Sequence, residues 1–200
     1  MALLPLMLLT ACAGVLTSEQ PARQNYLLRP YEATAAPGDG AARPALLLQL
    51  DVVPGLDTDR ILALDADARL NHYANARWPD HLPEVLASVL RRSLESSGRF
   101  GSVEVAATGA PDAWFLELEL REFYGIHGAD GMTSAVRAGL AGHLACGGET
   151  HALSVAESAP VTEERLATVV AAHQAALDGV TRQLLERIQA LCAAVENSRT

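Results

Sequence analysis

From Trp114 to Phe123 the residues WFLELELREF alternate strictly, with Leu116, Leu118 and Leu120 on one side and Glu117, Glu119 and Arg121 on the other. A period of two predicts a strand with one face on a core and one in water. ALLLQLDVV, Ala45 to Val53, is instead a continuous apolar run closed by Pro44 and Pro54. That pattern predicts a strand buried on both faces. RILAL (Arg60–Leu64) and RLNHYA (Arg69–Ala74), parted by the acidic turn DADA, predict a hairpin, and SVEVA (Ser102–Ala106) a short strand. SAVRAGLAGHLAC (Ser134–Cys146) and THALSVA (Thr150–Ala156) flank Gly147 and Gly148 and predict a second hairpin. NYLLRP, Asn25 to Pro30, reads as extended, and the following Tyr31–Pro44 stretch as a loop.

Two stretches have helical spacing. Leu82, Val85, Leu86, Val89, Leu90 and Leu94 recur at threes and fours between Pro79 and Ser97, and Gly98 supplies a stop. The longest element is predicted from about Thr162 to Val195, with Glu163 and Glu164 in a first turn where the helix dipole favours negative charge. Its stripe of Leu166, Val170, His173, Leu177, Val180, Leu184, Ile188, Leu191 and Val195 fits packing on a sheet, or a seam with a partner helix or a second copy of the chain. Strands with two helices interspersed predict an α/β fold: a single domain with a mixed β-sheet packed by two main helices.

The chain of 200 residues carries a net charge of −9, and its fifteen basic residues, all arginine, are scattered. That balance argues against a nucleic-acid partner, whose phosphates demand a basic face. No nucleotide-binding glycine loop, nucleophile elbow or H-E-x-x-H motif is present, so neither catalysis nor a cofactor is expected. His143, Cys146 and His151 lie close in sequence, but their spacing matches no zinc pattern and no metal site is expected.

The N-terminus changes the picture. Residues 1–11 are uncharged and nearly all apolar, too short to span a bilayer but long enough for the core of a secretory signal. Leu9, Thr10, Ala11 and Cys12 resemble the bacterial lipobox, which makes Cys12 the expected lipidation site and residues 1–11 a cleaved lipoprotein signal peptide. A diacylglycerol and an N-acyl chain such as palmitate on one cysteine exceed the two hydrophobic signals that stable anchoring needs. Signal peptides open with positive charge, and no basic residue precedes Arg23, a departure from the pattern that a start upstream of Met1 would explain. Residues 12–24 read as a flexible tether, with a reach of roughly 20 Å, residues 25–195 as the folded domain and 196–200 as a disordered tail.

With Cys12 lipidated, Cys146 and Cys192 remain in an oxidising compartment, where they are expected to pair as a disulfide or to persist as two buried thiols.

YLLRP, LDVVPGLDTDRI, LNHYANARW, LPEVLASVLRRSLESSGRF and LELELREF, taken in this order and spacing, resemble the ABC-type transport auxiliary lipoprotein family, which includes the paraquat-inducible outer-membrane lipoproteins. The resemblance covers most of Tyr26 to Phe123 and, more loosely, the last helix. It implies a periplasm-facing protein held in the outer membrane, associated with an ABC transporter and a mammalian-cell-entry domain protein in lipid transport. Ala13 agrees, because an aspartate after the cysteine tends to retain lipoproteins in the inner membrane. A scaffolding or docking role follows, with a carrier of lipid or another hydrophobic molecule as the alternative.

Candidate contact residues cluster in two short stretches. Asp57 and Asp59 of DTDR could suggest a hard cation site, but too few oxygens lie nearby, and a local turn is expected. Through the resemblance, Asp59 and Arg60 are expected to hold the strand or a partner surface. Tyr73, Arg77 and Trp78 either form a contact patch, being residue types that dominate interfaces, or close the core around the indole.

Overall fold

In the computed structural model, residues 23–33, 43–105, 113–163 and 165–198 are described, with side chains to residue 193. Cys12 and the signal, tether and tail residues outside these bounds lie beyond the described part, as does Glu164. The chain runs β1 (Gln24–Asn25), β2 (Ala45–Val52), β3 (Arg60–Leu64), β4 (Leu70–Arg77), α1 (Leu82–Ser96), β5 (Ser102–Val105), β6 (Trp114–His127), β7 (Thr133–Cys146), β8 (Glu149–Pro160) and α2 (Leu166–Ser198). The strands form one mixed eight-stranded sheet, as the α/β pattern predicts.

β6 is the spine of that sheet. β7 pairs antiparallel along one edge, from Phe115↔Ala145 to His127↔Thr133, while the other edge is divided between two parallel strands. β2 takes the first half (Leu46↔Trp114 to Val52↔Leu120) and β3 the second (Ala63↔Gly125 and Leu64↔Ile126). β5 flanks β2, β4 flanks β3, β1 pairs with β4, and β8 completes the far side on β7. The alternation of β6 breaks at a register shift between Leu120 and Glu122. Leu116, Leu118 and Leu120 are buried, and after the bulge Phe123 resumes the buried row.

Both helices cover the face that carries Leu48, Leu116, Leu144, Leu153 and Val155. Glu104, Glu117, His143 and Ser154 of the opposite face meet water. β2 is buried on both faces only at Leu46, Leu47 and Leu48; Asp51 is exposed. Gly147 (φ 59) and Gly148 (φ 83) make the two-residue turn between β7 and β8, a pair of left-handed positions that side chains disfavour. α2 starts at Leu166, because Val161 still donates to Ser134 O in the manner of the sheet. Glu163 therefore stays outside the helix, 3.3 Å from Arg165. Its buried face is broader than the stripe suggested: Val169, Ala172, Ala176, Thr181, Leu185 and Cys192 join His173, Leu177, Val180, Leu184 and Ile188. Leu166, Val170 and Leu191 are only half-buried.

Cys146 at the end of β7 and Cys192 on α2 form a disulfide with Cα atoms 6.0 Å apart. No group of His, Cys, Asp and Glu able to hold a metal is found among the described residues. The bond closes a separation of 46 residues, for which the chain-entropy model gives about 4 kcal/mol. Reduction is expected to lower Tm by about 10 °C, read by thermal unfolding with and without reductant; an unchanged Tm would show that the bond adds no stability.

Candidate functional site

The segment between β2 and β3 ties itself to the start of α1. Asp59 O accepts from Trp78 N–H at 2.8 Å and Thr58 O from Leu82 N–H at 3.1 Å. Arg77 donates to Asp59 Oδ1 at 2.7 Å, and this guanidinium holds the Asp59 carboxyl below its ordinary range. His81 Nδ1 donates to Asp57 Oδ1 at 2.8 Å, which raises the His81 pKa. The DTDR stretch is thus a clamp on the helix start rather than a cation site.

Trp78 belongs to the core. It is 2% exposed, with ring centroids 5.9 Å from Phe123 and 5.4 Å from His173. His173 is wholly buried, its Nδ1–H donating to Val169 O at 2.9 Å, and Nε2 has no hydrogen-bond partner. Burial pushes its pKa down to about 4. Tyr73 is half-buried; its hydroxyl meets Thr133 Oγ1 and its ring edge meets His127. Gly125 makes room for it, since a Cβ there would lie 2.9 Å from the Tyr73 hydroxyl.

What remains on the surface from the nominated residues is a basic cleft. β4 departs from β3 between Leu62↔His72 and Arg60↔Arg77, where two β3 steps face five β4 steps. Asn75 adopts φ 57 in this bulge, a left-handed conformation that asparagine tolerates better than most residues. Arg60, His72, Arg77 and Arg23 line the resulting cleft of about 230 Å³ together with residues 73–76. Arg60 reaches His72 Nε2, which accepts only while that nitrogen lacks a proton.

A larger groove was not legible in the hydrophobic pattern. The stretch from Tyr26 to Tyr31 crosses the helix layer as a strap: Leu28 enters the core, while Leu27 is 72% exposed. Gln174 on α2 accepts from Arg29 N–H at 2.8 Å and donates to Arg29 O at 3.0 Å, and Ser93 Oγ on α1 accepts from Tyr31 N–H at 2.9 Å. Beside this strap lies an open groove of about 1010 Å³. Its walls include Tyr26, Leu27, Arg92, Val170 and Asp178, the last with its pKa raised by burial. The adjacent leucines of YLLRP were its only sequence signal, one for each side of the strap.

The model of the family described as the ABC-type transport auxiliary lipoprotein component matches residues 26–184. The chain belongs to that family. The match runs from the strap through β6 and the β7–β8 hairpin into α2, so the groove and most of the cleft lie within this auxiliary lipoprotein component. Among solved structures, a Xanthomonas campestris protein assigned to DUF330 is 20% identical, with TM-score 0.65, covering 90% of this chain and 99% of its own. An uncharacterized protein is 15% identical, with TM-score 0.59, covering 82% and 99%. Both share the fold. No curated protein sequence matches significantly.

The aromatic seat of His173 predicts a pH dependence of stability. Between pH 6.5 and about 4 the unfolded chain protonates this ring while the folded chain keeps it neutral. Stability contributed at neutral pH is therefore lost as pH falls through that window, by about 3 kcal/mol in all. In His173→Phe the urea midpoint is expected to fall less between pH 7 and pH 4.5 than in wild type. Equal falls would contradict a neutral buried ring.

Proposed function

We propose that this lipoprotein is anchored in the outer membrane through Cys12. Facing the periplasm, it docks a component of an ABC transporter system of the mammalian-cell-entry type that moves lipid, and it performs no catalysis. The family match over residues 26–184 carries this reading, because it describes an auxiliary part of a transporter. No helix among the described residues is long and apolar enough to cross a membrane, and in this reading the lipobox cysteine supplies the attachment. Trp78 and Tyr73 are held in the fold, so the contact with the transporter passes to the strap and its groove. Both amide atoms of Arg29 are clasped by Gln174, and the strap holds Leu27 outward on a fixed backbone. An exposed leucine presented without loss of chain entropy on binding suits an interface.

One observation favours a carrier as the second reading: the groove volume of about 1010 Å³ lies at the upper end of ligand-pocket sizes. Acyl chains found by native mass spectrometry on the secreted chain would support it.

Cys12→Ser is expected to move the protein from the membrane to the soluble periplasmic fraction with Tm unchanged; retention in outer membranes would overturn the anchor. Leu27→Glu is expected to abolish co-purification of the transporter component while changing stability by no more than about 0.5 kcal/mol. Undiminished co-purification would remove the strap from the interface.

A further inference from the structure

The cleft between β1, β4 and β3 has a composition that the rest of the chain does not explain. The protein carries 24 carboxylates and 15 arginines, yet the eight residues lining this cleft include three arginines and a histidine and no acid. Arg60 and Arg77 are cross-strand partners in the β3–β4 register. Like charges placed directly opposite destabilise a sheet pair. Asp59 binds Arg77 through Nη1 and is not among the residues that line the cleft. Among the described residues Arg60 has no carboxylate partner and leans on His72 Nε2. Arg23 is exposed, likewise without a carboxylate, and directly precedes the Gln24↔Ala76 pairing that sets β1 against the bulge. The left-handed Asn75 and the extra residues of β4 open the space these cations share. Bulges are over-represented at sheet edges and beside active sites, where they re-aim a side chain or end the pairing.

We propose that this cleft is a binding site for a phosphate oxyanion, held by Arg23, Arg60 and the free side of the Arg77 guanidinium. Guanidinium groups match phosphate geometry with paired N–H donors. At about 230 Å³ the cleft admits a headgroup or a free ion and is too small for an acyl chain. Binding there relieves the Arg60–Arg77 repulsion, so the ligand stabilises the β3–β4 hairpin. Two sources share this chemistry, a phospholipid headgroup and free phosphate. The lipid source rests on the anchor reading, since only ten residues separate Arg23 from Cys12.

The test uses the full chain carrying Cys12→Ser, so that no attached acyl chain contributes. Inorganic phosphate is expected to raise Tm relative to chloride at equal ionic strength, and Arg23→Gln with Arg60→Gln to abolish the rise, whereas Arg165→Gln keeps it. Phosphatidylglycerol vesicles are expected to bind more tightly than phosphatidylcholine vesicles, with affinity falling about five-fold per arginine removed. Vesicle binding lost in the double variant supports the site with the headgroup as its source. A phosphate response without vesicle binding supports the site with the free ion as its source. No phosphate-specific rise, or a rise that survives in the double variant, overturns the proposal. Tight binding of an acidic peptide without any phosphate response also overturns it and assigns the arginines to a protein partner. Because anchoring is read separately from fractionation of Cys12→Ser, failure of the site and failure of the anchor remain distinct.

Discussion

The two-sided pairing of β6 is the constraint on which the other elements depend. Its fourteen residues face β7 along one edge and, on the other, β2 and then β3 in line. Because β2 and β3 run in the same direction on the same edge, the chain must leave the sheet after Val53, which still donates to Leu120 O, and re-enter opposite Gly125. The short excursion this forces is the clamp from Gly55 to Asp59. Its carbonyls then receive the N–H groups of Trp78 and Leu82, which fixes where α1 begins. The bulge between Leu120 and Glu122 falls at the changeover, so the buried row of β6 shifts phase where its neighbour changes.

A second consequence is the joint between the two helices. Trp78 leads into α1, Phe123 follows the bulge of β6 and His173 belongs to α2; their rings meet within about 6 Å. The entry to α1, the central strand and α2 thus share one aromatic cluster. The strap from Tyr26 to Tyr31 is held by both helices above it, through Gln174 and Ser93. The helix layer therefore presents Leu27 and the groove, while the bulged hairpin presents the arginines. The disulfide keeps α2 tied to β7 on the other side of the layer.

Local patterns were legible and register was not. The alternation from Trp114 to Leu120, the helical spacing of α1 and the glycine pair between β7 and β8 each reflect one element's own periodicity or turn chemistry, and each has its expected form. The extent of β4 escaped notice because its bulge interrupts alternation after His72, which hid the pairing of Arg60 with Arg77 seventeen residues away. Arg23 was not nominated as a contact residue, since its place at the cleft depends on a two-residue strand paired with residues 76 and 77. Among the contact candidates, Asp59 and Arg77 proved to be each other's partners and Trp78 a core residue, while Arg60 faces the cleft. The broader buried face of α2 was missed because Ala172 and Ala176, both buried, are too small to stand out as a stripe.

The strap and its groove give the helix layer an outward surface, and the central functional claim is that this surface meets a transporter. The most direct measurement is site-specific photocrosslinking in intact cells, with the reactive group placed at Leu27 of the full chain. The account predicts one major adduct, joining the strap to a periplasmic component of the ABC transport system. Adducts confined to lipid, or formed only with a second copy of this chain, would contradict it.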